Sequence, residues 1–233
     1  MGPEEWRGQL VSANWQGVVL IWAVSLLAGC GTEPAPPSGN SQFTGSYFED
    51  YRKIQFKDNV QSNVAADGSI GDLTFTDING NEASLKDYLG KKHVVVIVTR
   101  GFFNGSICLY CSTQTSRMLT NYAKFSARDA EVVVVFPVES LEDSRRHRDF
   151  AASVRNKLDT PVEKIPFPIV LDVALKAVDH LGIRKDLSKP ATYILDKQGQ
   201  TRFAYVGDSL ADRPSVKALL DQLDALNKDA SDE

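Results

Sequence analysis

Apolar residues along this chain recur in two patterns, and the change from one to the other occurs within a few residues. Val94 to Thr99 is apolar without alternation, the signature of a parallel strand buried on both faces. Gly101, Asn104 and Gly105 interrupt it. From Cys108 onward Cys111, Thr115, Met118, Tyr122 and Phe125 recur at steps of three and four, which predicts a helix. Val132 to Phe136 is a second buried-strand run, and residues 141–158 form a charged helix with Phe150, Val154 and Leu158 on its inner face. Pro166 to Leu171 is a third short strand, followed by a helix capped by Asp172 and closed by Gly182. A strand led in by Pro190 turns at Lys197-Gln198-Gly199 into Thr201–Val206. Asp212 reads as the cap of a last helix, with Pro214 in its first turn and an apolar stripe from Val216 to Leu226. Upstream, Leu73–Thr76, a turn at Asp77–Asn81 and a short helical turn at Ser84–Leu89 predict an N-terminal hairpin extension. The sum is an α/β three-layer sandwich with a mixed central sheet.

The first residues follow other rules. Val18 to Ala28 is an apolar run of signal-peptide length, too short to span a bilayer easily. Its end, Leu27-Ala28-Gly29-Cys30, resembles the bacterial lipobox, which implies lipidation of Cys30. The Pro-rich stretch that follows reads as an extended tether. The expected organisation is a signal peptide over 1–29, a tether over 30–42, a poorly defined lead-in over 43–68 and one domain over 69–228. Such a chain is anchored to a membrane of the cell envelope by lipid, with its domain outside the cytoplasm, on the periplasmic side or at the cell surface.

Composition narrows the chemistry. The chain has 233 residues, 24% of them charged, and a net charge of −4 without a basic block, so no nucleic-acid partner is expected. The Arg145–Arg148 run reads as a solvated helix face. Three cysteines are too few for a disulfide framework, and His93, His147 and His180 have no ligand spacing to them, so neither metal nor cofactor is expected. What remains is Cys108 and Cys111. Residues three apart on a helix lie about 5–6 Å apart at Cβ, within reach of a reversible disulfide. Cys108 would stand at the helix N-terminus, where unpaired N–H groups favour an anion. It is the expected attacking thiolate, with Cys111 as the resolving sulfur.

A buried strand, C-x-x-C at a helix start and the later Pro190-Ala191-Thr192-Tyr193-Ile194-Leu195-Asp196 with its glycine turn resemble a thioredoxin-like protein. Gly80-Asn81, Ser84-Leu85 and Tyr88, together with Phe167 to Asp172, resemble the redoxin branch, which holds the alkyl hydroperoxide reductase and thiol-specific antioxidant (peroxiredoxin) proteins and envelope-tethered thiol–disulfide oxidoreductases. The likeness covers about residues 69–227. It implies an enzyme acting on protein thiols and disulfides, or alternatively on a small hydroperoxide, and it maps Pro190 onto a cis-proline facing the sulfurs. Arg100 at the strand end could bias a thiolate electrostatically. Three departures stand out. Ile107 and Leu109-Tyr110 replace the tryptophan and proline usual around a thioredoxin motif, and Val94–Thr99 holds no carboxylate to accept a proton from Cys111. The peroxiredoxin pattern Pro-x-x-x-Thr/Ser-x-x-Cys places Gly101 and Gly105 before Cys108, or Asn104 and Cys108 before Cys111. A non-enzymatic binding or metal-carrier lipoprotein is the remaining alternative. The lipobox expectation is tested by mass spectrometry of the membrane fraction: residues 1–29 should be missing and Cys30 should carry acyl mass, whereas an intact N-terminus contradicts it.

Overall fold

The structure, a computed structural model, describes residues 50–65, 69–103 and 105–229. Cys30, the signal segment and the tether lie outside these residues. A seven-stranded sheet runs in the order β2-β1-β7-β6-β3-β8-β9. Its elements are β1 (Thr74–Thr76), β2 (Glu82–Ser84), β3 (His93–Val98), β6 (Ala130–Val138), β7 (Ile169–Val173), β8 (Ala191–Leu195) and β9 (Thr201–Val206). The centre, β7-β6-β3, is parallel, while β8, β9, β1 and β2 continue it antiparallel. The resulting mixed sheet and N-terminal hairpin agree with the sequence reading.

Alternation along the central strands sends side chains to two cores. Val95, Ile97, Val132, Val134 and Phe136 face one side. There they meet Met118 of α1 (Leu109–Thr120), Phe125 of α2 (Tyr122–Ser126), Phe150 and Val154 of α3 (Arg146–Arg155), and Leu219 and Leu223 of α5 (Val216–Asp229). Val94, Val96, Val98, Val133 and Val135 face the other side, against Leu85 and against Ala177 and Val178 of α4 (Lys176–His180). Both faces of β3 and β6 are covered, which favours the continuous apolar runs Val94–Val98 and Val132–Phe136.

Several local expectations change. The charged run after β6 begins as a 3₁₀ turn, Leu141–Arg145, before α3 forms. In that run Arg146 stacks on Phe102 and His147 is buried, so the face is not wholly solvated. Asp172 lies inside β7, yet its carboxylate accepts from the N–H groups of Ala177 and Val178, both at 2.9 Å, and so caps α4 from a distance. Asp212 does not cap α5. It pairs with Lys57 and accepts from the Tyr205 hydroxyl, leaving Ser215 to accept from Ala218 N–H.

The expected loose lead-in is instead laid along the domain between residues 50 and 65. Phe56 and Val60 are buried, Lys57 bridges Pro214, and the Asn63 side chain bonds both backbone groups of Val206. It thereby covers part of the exposed edge of β9, where unpaired backbone groups would otherwise await another chain.

Between β3 and α1 the chain makes a small hairpin, β4 (Phe102–Phe103) with β5 (Ser106–Ile107). Gly101 leads into it with φ +85, and a Cβ there would lie 2.7 Å from the Pro137 carbonyl oxygen. Gly101→Ala is therefore expected to destabilise the fold by on the order of 2–4 kcal/mol, from the left-handed backbone and the overpacking together. Urea denaturation checks this; an unchanged midpoint contradicts it.

Candidate active site

Where β3 ends, the backbone turns out of the sheet. Thr99 still donates its N–H to Val135, but the Arg100 N–H leaves the ladder and donates to Cys111 Sγ at 3.2 Å. Cys108 caps α1 with extended backbone (φ −61, ψ 117), and its sulfur accepts from the Cys111 N–H at 3.4 Å. Cys108 is half-buried and lines a cleft of about 100 Å³ with Arg100, Ser106, Leu109, Tyr110 and Leu210. Cys111, one turn further in, is 1% exposed. Both are free thiols in this structure.

The group that completes the site has no signature in the sequence pattern. Arg213, in the loop before α5, is 1% exposed and donates through Nη2 to Cys111 Sγ at 3.2 Å. Its Nη1 donates to Gln114 Oε1 at 2.7 Å and its Nε to the Leu210 carbonyl at 2.7 Å. The loop is pinned in turn by Lys57, whose N–H donates to the Arg213 carbonyl. Arg213 is 102 residues from Cys111 along the chain, so only the fold brings the two together. A second buried cation, Lys157, is 6% exposed just beyond α3, with its amine on the Ser153 carbonyl and hydroxyl. Burial pulls Lys157 down to about 8.

These surroundings act on the two sulfurs in opposite directions. Burial pushes the Cys111 thiol up, but the hydrogen bond from Cys108, the Arg213 charge and the Arg100 N–H together bring it down to about 6. Cys108 is pushed above the ordinary thiol range, first by its hydrogen bond to Cys111 and then by burial. The helix N-terminus does act on Cys108, through the Cys111 N–H, but a neighbouring thiolate outweighs that pull. The donors around the pair draw negative charge towards Cys111 and favour a proton on Cys108.

The other expected residues are placed as follows. The Arg100 guanidinium pairs with Asp186 at 2.7 Å, and it is the Arg100 backbone that bonds sulfur. Pro190 lines an adjoining cleft with Arg100, Gly207 and Leu210. The expected cis bond is not there: no cis peptide occurs among the described residues. The trans form, the lower in energy for X–Pro, is compatible with the hydrogen bond from Gly207 N–H to the Pro190 carbonyl.

A mixed sheet in this order, with a cysteine at the first turn after the central strand, defines a thioredoxin-like redoxin. Residues 68–204 match the AhpC/TSA family, and the chain belongs to that family. Among solved structures, a 1-Cys peroxiredoxin of yeast mitochondria is 16% identical with a TM-score of 0.57, over 74% of this chain and 79% of that one. A mutant of peroxiredoxin 6 of Arenicola marina is 15% identical with a TM-score of 0.56, over 74% and 76%. A mitochondrial 2-Cys peroxiredoxin of Plasmodium falciparum is 18% identical with a TM-score of 0.52, over 69% and 94%. At these identities the likeness concerns the fold. No curated protein matches the chain. Family membership makes the protein an oxidoreductase of the thiol peroxidase or thiol–disulfide oxidoreductase kind, which supersedes the non-enzymatic alternative.

The Cys111 shift carries a stability signature. Its folded value of about 6 lies below that of an unfolded cysteine, about 8.5. Between the two the unfolded chain binds more protons, so stability rises with pH. The contribution is complete above the unfolded value and is lost as pH falls through about 6. The urea midpoint of the reduced protein should rise between these values, and the rise should vanish in Cys111→Ser. The same rise in that variant contradicts the assignment.

Proposed function

We propose that the protein is a dithiol–disulfide oxidoreductase using Cys108 and Cys111. The observation that carries this is the order of the two sulfurs: Cys108 at the helix mouth facing a cleft, Cys111 one turn deeper with the Arg213 guanidinium and the Arg100 N–H on its sulfur. Attack by Cys108 on a substrate disulfide forms a mixed disulfide and expels one substrate thiolate. The Cys108 proton passes to the Cys111 thiolate, its hydrogen-bond partner. Cys111 hands that proton to the expelled substrate thiolate, and its sulfur then displaces the second substrate thiolate and leaves a Cys108–Cys111 bridge. The reverse sequence oxidises substrate thiols. Arg100 lines the cleft at the attacking sulfur, and Pro190 lines the adjoining one. The lipobox-like sequence at Cys30 supports a further part of the proposal, that the domain works outside the cytoplasm on a lipid anchor.

The family match favours a second reading, in which a hydroperoxide oxidises Cys108 to the sulfenic acid and Cys111 resolves it as a disulfide with loss of water. Gly105 occupies the position where the peroxiredoxin pattern has a hydroxyl, so disulfide exchange is the preferred activity.

Cys108→Ser should lose disulfide exchange with glutathione and insulin by at least about 100-fold, the scale of losing a reacting nucleophile. Cys111→Ala should accumulate the mixed disulfide. Full activity in Cys108→Ser overturns the proposal, and peroxide oxidation far faster than that of a free thiol moves the protein to the second reading.

A further inference from the structure

Arg213 lies beyond the family match, which ends at residue 204, and the proposed exchange reaction does not by itself require it. Its hydrogen-bond partners are Cys111 Sγ, the Gln114 amide oxygen and the Leu210 carbonyl. Only the sulfur can carry a negative charge. Among the described residues a guanidinium 1% exposed therefore has one counter-ion, and that counter-ion exists only while the cysteines are reduced. Forming the Cys108–Cys111 bridge turns the thiolate into a neutral sulfur and leaves a buried cation unpaired, which is costly. The other charged groups around the pair do not relieve this. Lys157 beside Cys108 is itself a cation, and the Arg100 guanidinium is engaged with Asp186. No carboxylate is among the groups that shift either sulfur.

We infer that Arg213 is a positioning residue that stabilises the dithiol over the disulfide and so makes this couple an oxidant of thiols. The inference rests on the exchange reading above and gives it a direction and a substrate class. A dithiol substrate loses two electrons and two protons and forms its own disulfide. The Cys108–Cys111 bond breaks, one proton remains shared between the two sulfurs, and the other is released. A couple whose reduced form is held by charge compensation has a raised potential.

The test is the equilibrium of the full chain with mixtures of reduced and oxidised glutathione, read by alkylation and mass. Arg213→Met should shift it towards the disulfide at least tenfold, a fall in potential of about 30 mV. Arg213→Lys should retain part of the wild-type value. A folded Arg213→Met variant within twofold of wild type overturns the inference. Should that variant not fold, wild-type melting decides: a dithiol form melting above the disulfide form supports the inference, and the opposite order overturns it. A Cys108–Cys111 bridge that forms at no buffer ratio sinks the exchange reading and this inference together. An unchanged equilibrium in Arg213→Met sinks the inference alone.

Discussion

The candidate site depends on charge compensation at one buried sulfur. Cys111 Sγ receives an N–H from the end of β3, a guanidinium from the loop before α5 and a hydrogen bond from Cys108. Each donor comes from a different part of the chain, and each is where it is because of the sheet. The parallel pairing of β3 with β6 ends at Val98–Val135, Thr99 adds one more N–H to Val135, and the Arg100 N–H then donates to the sulfur. The lead-in at Lys57 fixes the loop that carries Arg213. An unpaired thiolate at that depth would not survive its own desolvation, and an unpaired arginine there would fare no better.

This explains how much could be seen in the sequence. The central strands, the helix at Cys108 and the glycine-marked turns were legible because burial on two faces and helical spacing leave periodic traces. So was the cysteine pair, whose meaning depends on a single helical turn. Arg213 and Lys157 left no trace, since each is a single cation in a polar stretch and acquires its role from residues far away in the chain. The N–H of Arg100 was equally hidden, because backbone groups have no sequence signature. Asp212 looked like a cap because capping is local, yet Lys57 and Tyr205 claim it across the fold. The β4–β5 hairpin had a readable signal, an Asn-Gly pair between Phe102-Phe103 and Ser106-Ile107.

The arrangement also reverses the thioredoxin-like expectation of a carboxylate near the second cysteine. A carboxylate there accepts the Cys111 proton and helps that sulfur resolve a mixed disulfide. On the proposed exchange reading a guanidinium instead favours the anionic sulfur from the start, so that Cys111 would serve both as the base for Cys108 and as the resolving nucleophile. The cost is that oxidation removes the charge the arginine needs. One substitution, cation for anion, links proton transfer, resolution and the direction of electron flow.

The most direct measurement is the ultraviolet absorbance of thiolate in the reduced chain, followed from acid to mildly alkaline pH. The account predicts one thiolate appearing near pH 6, kept in Cys108→Ser and lost in Cys111→Ser. No thiolate below the ordinary cysteine range of about 8.5, or a signal that depends on Cys108 and ignores Cys111, would contradict it.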